Sequence, residues 1–274
     1  MSKYKLIAFD MDGTLLNSDK KILPKSLEMI SKAVDSGKEV ILSTGRCVAE
    51  LSGYIEQIPG LRYINCVSGA QVYDLKENKE IYSNAIPVDK VKKILRIAKM
   101  EDSMPHIMTN DSIVQKSDYE NMEHFQMGNY IPLFEKVAKK VDDIWAFYDE
   151  NSFPVEKFNI YHVNAEERDK TKERLEELDL VLIDAEKTSV EISAKGVNKG
   201  IGLVKLCEHL GISIEQTIAV GDSYNDVEIL KTAGLSVAMG NANDTVREIC
   251  DVMVSDCDHD GCAEAIEKYL LCEE

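Results

Sequence analysis

The chain lacks the cysteine patterns that hold zinc or build a disulfide framework. Its seven cysteines contain no C-x-x-C pair, and their number is odd. The nearest two, Cys257 and Cys262, lack the further ligands that a zinc site needs. We therefore expect reduced thiols, which is the usual state of cysteine in the cytoplasm.

Long apolar segments are also missing. No stretch approaches the roughly 18 apolar residues that a membrane span requires. The apolar run near the amino terminus is too short for a secretory signal. Both absences predict a cytoplasmic protein without a membrane partner.

Positive charge is scarce relative to negative charge. The 49 acidic residues outnumber the 32 basic ones, which gives a formal net charge of −17. This balance disfavours attraction to the phosphate backbone of DNA or RNA, so we expect no nucleic-acid partner. Nothing in the composition indicates an oligomeric state.

What the chain does contain is an alternation of apolar strands and amphipathic helices at both ends. The first strand includes Leu6–Phe9, an uninterrupted apolar run typical of a strand buried on both faces. The alternation predicts an α/β fold with a doubly wound, Rossmann-like parallel sheet. The predicted strands are residues 3–9, 40–42, 63–67, 217–220, 235–239 and 252–254, and the predicted helices are near residues 25–36, 203–210 and 226–233.

The middle of the chain follows a different pattern. Its spacing of apolar residues predicts helices near residues 91–98 and 134–141, and Asn164 with Glu167 indicates a third, capped helix. Strand-like stretches are found at 158–163, 180–183 and 190–193. We therefore predict an inserted α+β domain of about 110 residues, the size of a small domain. The predicted limits are 1–84 for the first part of the core, 85–195 for the insert and 196–274 for the second part of the core.

Polar side chains follow the predicted core strands or begin a helix beside them. They are Asp10 and Asp12, the pair Thr44-Gly45, Lys199, and the run Gly221–Asp226. The carboxyl ends of parallel strands meet at one edge of a sheet, so these residues are expected in one crevice. Crowded carboxylates need a cation, and oxygen ligands suit Mg²⁺. A lysine, a hydroxyl and free N–H groups suit phosphate oxygens, so the pattern predicts Mg²⁺-dependent phosphoryl transfer.

Four motifs resemble those of the haloacid dehalogenase superfamily. They are Asp10-Met11-Asp12-Gly13-Thr14-Leu15, Ser43-Thr44-Gly45-Arg46, Gly196-Val197-Asn198-Lys199-Gly200, and Gly221-Asp222-x-x-Asn225-Asp226. The long insert, Ala238–Ala242 and Asp260-Gly261-x-Ala263 are similar to those of its Cof-type phosphatases. In these phosphatases the insert is a type IIB cap domain. Ser68 departs from the resemblance, because these phosphatases usually carry Asn at that position.

The resemblance implies a role for each acidic residue. Asp10 would be the nucleophile that forms an aspartyl-phosphate. Asp12 would be the general acid for the leaving oxygen and then the base for the attacking water. Mg²⁺ would be held by the carboxylate of Asp10, the backbone carbonyl of Asp12, and Asp222. Asp226 would either belong to the metal shell or orient Lys199, and the two roles stay open here.

The same resemblance implies a set of groups for the phosphoryl oxygens and a reaction. The oxygen-binding residues would be Thr44, Lys199 and Asn225 through their side chains, and Met11 and Gly45 through their N–H groups. The implied function is a phosphatase that hydrolyses small phosphorylated metabolites such as sugar phosphates. One alternative is a phosphomutase of the same superfamily, and another is a binding or regulatory module without turnover. A calcium-binding EF-hand is excluded, because Lys21 occupies the loop position that requires Glu.

Overall fold

The computed structural model describes residues 3–272 and contains fourteen strands. In chain order they are β1 Leu6–Phe9, β2 Glu39–Ser43, β3 Tyr63–Cys66, β4 Gln71–Asp74, β5 Lys79–Ser83, β6 Ser103–Met108, β7 Ser112–Gln115, β8 Ala138–Val141, β9 Lys157–His162, β10 Val181–Ala185, β11 Ser189–Ser193, β12 Thr217–Gly221, β13 Leu235–Ala238 and β14 Val252–Met253.

Eleven α-helices occur within the same described residues. They are α1 Pro24–Asp35, α2 Val48–Ile55, α3 Val88–Lys99, α4 Lys116–Glu120, α5 Ile131–Val137, α6 Ile144–Asn151, α7 Ala165–Leu175, α8 Lys199–Leu210, α9 Val227–Thr232, α10 Asp244–Ile249 and α11 Gly261–Ala265. Short 3₁₀ turns occur at Val67–Gly69, Gly128–Tyr130, Glu176–Leu178, Ile214–Gln216 and Tyr224–Asp226, and a π-helical turn occurs at Ile266–Leu270. None of these helices combines the length and apolar character that crossing a bilayer requires.

The chain divides into two compact units. The first, the core unit, contains the chain up to Gly45, Gly53–Ser83, and the chain from Asn198 onward. The second, the insert unit, contains Arg46–Ser52 and Asn84–Val197. We keep 1–84, 85–195 and 196–274 as the proposed domain limits.

The core unit is built on an eight-stranded sheet in the order β14-β13-β12-β1-β2-β3-β4-β5. The strands from β14 to β3 are parallel, whereas β3, β4 and β5 are joined as antiparallel neighbours. Strand β1 lies between β12 and β2, and every one of its residues is buried. Its uninterrupted apolar sequence fits that central position.

Helix α8 packs its apolar face onto this sheet. Leu203, Leu206 and Cys207 belong to one buried cluster with Leu6 and Ala8 of β1. Each fully buried leucine contributes roughly 1.5–3 kcal/mol relative to an exposed one. Asn198 caps the start of α8 through its side chain, and Gly211 ends it in a left-handed conformation. The packing therefore holds the first residue of α8 beside the sheet.

The insert unit is built on a six-stranded sheet in the order β10-β11-β9-β6-β7-β8. Its pairs are antiparallel except for β7 and β8, which are parallel. Helices α3 and α7 pack on this sheet. The fold class predicted from the sequence, a parallel-sheet core with an α+β insert, is confirmed.

Two local predictions for the insert unit are wrong or incomplete. The helix predicted near residues 134–141 ends at Val137, and Ala138–Val141 is strand β8. These four residues pair with Ser112–Gln115 of β7, so backbone pairing outweighs their helical spacing. Strands β6 and β7 were not predicted.

Candidate active site

The polar residues that the sequence places at strand ends meet at one edge of the core sheet. Asp10 follows β1, and its N–H donates to the carbonyl of Val220 in β12. Asp222 follows β12, and Lys199 is the first residue of α8. The Lys199 ammonium lies 2.5 Å from Asp10 Oδ1 and 2.7 Å from Asp226 Oδ1. Residues far apart in sequence thus form one contact network.

Asp226 uses both of its carboxylate oxygens. Its Oδ1 accepts from Lys199, and its Oδ2 accepts from the backbone N–H groups of Asp222 and Ser223. The side chain is fully buried. These contacts favour the orienting role over the metal-shell role: Asp226 holds both the ammonium and the turn that carries Asp222.

Burial raises the pKa values of the two other carboxyl groups. The pKa of Asp10 is raised to about 7, because burial outweighs the opposing effect of Lys199. The pKa of Asp222 is raised to about 6, again mainly by burial, although the hydrogen bond from Thr14 opposes it. Burial lowers the pKa of Lys199, but Asp10 and Asp226 outweigh that effect and raise it overall. When all three carboxylates are ionised, the single ammonium of Lys199 balances only one of their three charges.

Three carboxylates lie close together, and Asp10 and Asp222 remain for a cation once Asp226 is bound to Lys199 and the turn. Asp10, Asp222 and Asp226 each offer an oxygen, and these oxygens lie within 4.8 Å of one another. Gly13 makes room for Asp222, since a Cβ at Gly13 would lie 2.6 Å from Asp222 Oδ2. Thr14 donates to Asp222 Oδ1 at 2.9 Å. A crowded set of hard oxygen donors with excess negative charge fits Mg²⁺.

The carboxylate of Asp12 is outside this cluster. Its Oδ1 lies 2.9 Å from the Nζ of Lys20, and its side chain is 41% exposed. A role for Asp12 in metal binding would thus rest on its backbone carbonyl, as the sequence prediction has it. This partly exposed carboxylate is accessible to solvent for proton transfer.

The residues predicted to bind the phosphoryl group follow the same strand ends. Met11 is buried, and its carbonyl accepts from the N–H groups of Thr14 and Leu16. Thr44 is buried at the end of β2, with Gly45 next to it. Asn225 lies on the turn after β12, where its Oδ1 accepts from Ser223 Oγ at 2.6 Å. Phosphate binding by these four groups stays a prediction.

Sequence reasoning missed Asn65, which contacts the network from β3. Its Nδ2 donates to the backbone carbonyl of Lys199 at 2.8 Å and to Ser43 Oγ at 2.9 Å. The available signal was a single amide within the otherwise apolar strand Tyr63–Cys66. That signal could not predict the contact with Lys199, which is 134 positions away in the sequence.

Comparisons with known proteins place the chain among phosphate-ester hydrolases. The family model described as haloacid dehalogenase-like hydrolase matches residues 7–266. The chain is 30% identical over 271 residues to the Bacillus subtilis 5-amino-6-(5-phospho-D-ribitylamino)uracil phosphatase, covering 97% of this chain and 96% of that protein. It is 26% identical over 280 residues to the Escherichia coli pyridoxal phosphate phosphatase, covering 97% and 99%.

A solved structure has the same fold along nearly the whole chain. It is a haloacid dehalogenase-like hydrolase from Bacteroides thetaiotaomicron, with a TM-score of 0.84 and 27% sequence identity. The match covers 97% of this chain and 99% of that one. The similarity therefore includes the insert as well as the core.

Proposed function

This chain belongs to the haloacid dehalogenase-like hydrolases, and from that membership and the site's geometry we propose that it is a Mg²⁺-dependent phosphatase. Its substrates are small phosphate monoesters, and the phosphoryl group passes through an aspartyl-phosphate on Asp10. The observation that carries the proposal is the buried contact of 2.5 Å between Asp10 and Lys199, with Asp222 close enough to share a cation.

The acidic cluster supplies the ligands that Mg²⁺ would need. Asp10 and Asp222 would hold Mg²⁺ with the backbone carbonyl of Asp12, while Asp226 keeps its oxygens on Lys199 and the adjacent turn. Bound Mg²⁺ supplies positive charge that neutralises the phosphoryl oxygens and screens the carboxylates from one another. Burial of Asp10 and Asp222 raises the pKa values of both groups, so a bound cation would favour their ionised forms.

Lys199 has one donor left for the substrate. An ammonium carries three N–H donors, and two of them go to Asp10 and Asp226. We assign the third to a phosphoryl oxygen, together with the side chains of Thr44 and Asn225 and the N–H groups of Met11 and Gly45. Such donors stabilise the charge that develops during phosphoryl transfer.

The reaction proceeds in two displacements. A carboxylate oxygen of Asp10 bonds to phosphorus while the bond to the leaving oxygen breaks, and Asp12 donates a proton to that oxygen. Water then attacks the phosphorus, Asp12 takes up a water proton, and phosphate leaves Asp10 as the free carboxylate. Proton transfer of this kind contributes roughly 10²–10⁴-fold to a rate, and the exposed position of Asp12 suits exchange with substrate and water.

The substrate is a small phosphorylated metabolite, and we propose that the protein acts on it in the cytoplasm. The two relatives above are named for a ribitylamino-uracil phosphate and for pyridoxal phosphate. These two compounds and a set of sugar phosphates form the panel to screen. The seven cysteines are free thiols within the described residues, which agrees with a reducing compartment.

Release of phosphate from p-nitrophenyl phosphate tests the reaction. We expect Mg²⁺-dependent turnover that chelation abolishes and that Asp10→Asn reduces to background. Asp35→Asn is the matched control, because Asp35 is an exposed residue of α1. Equal rates from Asp10→Asn and the unaltered protein would overturn the proposal. A sugar 1-phosphate that yields a 6-phosphate instead of free phosphate would replace hydrolysis with phosphomutase activity.

A further inference from the structure

We propose that Asn65 is a positioning residue that holds Lys199 in its working place. It acts by tethering the first residue of α8 to strands β2 and β3. The inference rests on the proposed function, because the importance of Lys199 follows from the phosphoryl-transfer site. The buried amide of Asn65 restrains the backbone of Lys199 and thereby the position of its ammonium group.

The direction of the Asn65 side chain is set by its partners. The carbonyl of Lys199 can only accept a hydrogen bond, so the atom facing it at 2.8 Å is the Nδ2 donor. The same Nδ2 donates to Ser43 Oγ at 2.9 Å. Asn65 is completely buried, so neither bond competes with solvent. One amide thus connects β2, β3 and the start of α8.

The oxygen of the same amide, Asn65 Oδ1, lowers the stability of the folded protein. Asn65 Oδ1 is buried and has no hydrogen-bond partner among residues 3–272. Gly202 lies against it so closely that a Cβ there would be 1.9 Å from Oδ1. A buried polar atom without a partner costs about 1–3 kcal/mol. The two hydrogen bonds that Nδ2 donates, to Ser43 and to the carbonyl of Lys199, offset this cost.

Lys199 needs such a tether because of where it lies. It is the first residue of α8, where the backbone N–H has no hydrogen-bond partner within the helix. Its ammonium nevertheless contacts two separate carboxylates at 2.5 and 2.7 Å. A misplacement of about 1 Å in a catalytic group can cost about 100-fold in rate. The Asn65 bond reaches the backbone of Lys199 itself, where it limits movement most directly.

The neighbouring turn holds the start of α8 from the same side. Gly69 has a φ of +93°, and a Cβ there would lie 2.0 Å from the carbonyl oxygen of Asn198. Val67 and Ser68 before it also have positive φ values, 48° and 62°. This close approach leaves the start of α8 little freedom to move toward the turn.

A double-mutant cycle with Asn65→Ala and Lys199→Ala tests the proposal. We expect Asn65→Ala to lower kcat for p-nitrophenyl phosphate about 10-fold or more. In the Lys199→Ala background the same substitution should change kcat less than about twofold, because the group it positions is gone. Equal fold-losses in both backgrounds, or an unchanged kcat in the single variant, would refute the link.

Thr217→Ala is the control for a merely structural loss. Thr217 is equally buried and donates to the carbonyl of Ile214 at 2.7 Å, at the opposite end of the core sheet. We expect it to lower the melting temperature without changing kcat. Gly202→Ala provides a second approach, because the added Cβ would push on Asn65 from α8 and should also lower kcat. A loss of kcat in Thr217→Ala as large as in Asn65→Ala would reject the proposal.

A crystal structure of Asn65→Ala separates this proposal from the proposed function. We expect the Lys199 ammonium to lie beyond hydrogen-bond distance of Asp10. If it stays at 2.5 Å, Asn65 does not position it, whatever the kinetics. If the unaltered protein releases no phosphate from any substrate, the proposed function fails, and the crystal structure still decides the positioning role.

Discussion

Replacing Asp222 by Asn should make the metal-free protein more stable while it removes the response to Mg²⁺. Burial raises the pKa of Asp222 from 3.8 to about 6, so the ionised group destabilises the folded state at pH 7. The difference corresponds to about 3 kcal/mol. Partial exposure of the side chain to solvent reduces this to roughly 2 kcal/mol. The Oδ1 of Asn keeps the acceptor for Thr14, so little else is lost.

The sign follows from proton binding. A carboxyl group with a raised folded-state pKa is bound to a proton more strongly in the folded protein than in the unfolded one. Its ionisation therefore lowers stability as the pH rises from about 4 to about 6. The side chain in Asp222→Asn does not ionise, so the variant keeps the stability that the unaltered protein loses. In EDTA at pH 7 its melting temperature should be roughly 4–8 °C higher than that of the unaltered protein.

The assay is thermal unfolding in EDTA and in excess Mg²⁺. The unaltered protein should melt at a higher temperature with Mg²⁺, because a ligand that binds only the folded state stabilises it. Asp222→Asn should show little such increase and no phosphatase activity. Asp35→Asn should behave like the unaltered protein. A lower melting temperature of Asp222→Asn in EDTA, or a full response to Mg²⁺, would refute the reasoning.

Two other substitutions test buried groups by their effect on stability. Asp226→Asn should lower the free energy of unfolding by about 2–4 kcal/mol, since one amide cannot accept from both Lys199 and the backbone N–H groups of Asp222 and Ser223. Urea unfolding measures this loss, and unchanged stability would contradict the role given to Asp226. Burial lowers the pKa of His106 to about 3, so only the unfolded chain gains its proton as the pH falls below 6.5. His106 alone should then reduce stability by about 1.6 kcal/mol between pH 6.5 and pH 5, while Asp10 and Asp222 act in the opposite direction. In urea unfolding, the stability of His106→Gln relative to the unaltered protein should therefore rise by that amount across this range; a constant difference would rule out His106 as a cause.

The sequence predicted which polar residues lie together better than it predicted the elements of the insert, and the reason is topological. Asp10, Lys199 and Asp222 follow or flank strands of a parallel sheet, and such strand ends meet wherever the sheet forms. The alternation of apolar strands and helices at both ends of the chain was therefore enough to predict that these residues lie together. The sequence did not decide the role of Asp226, because an aspartate at that position fits either a metal ligand or an orienting carboxylate.

Other features depend on partners that local patterns do not name. Ala138–Val141 has helical spacing, but pairing with β7 makes it a strand. Asn65 looks like an irregularity within an apolar strand until Lys199 is placed beside it. The pair of Asp12 with Lys20 likewise depends on how the loop after β1 turns back. Each outcome is decided by tertiary contact and not by propensity.

Chemical trapping of the phosphorylated residue tests the central claim most directly. Borohydride reduces an acyl phosphate and leaves homoserine in place of the aspartate, which peptide mass spectrometry identifies. p-Nitrophenolate leaves without a proton from Asp12, so the first displacement proceeds in Asp12→Asn. The second displacement lacks its base in that variant, so the intermediate should accumulate. With Mg²⁺ and p-nitrophenyl phosphate present, we expect homoserine at position 10 and at no other position. An unmodified Asp10 under these conditions, or modification of a different carboxylate, would contradict the account.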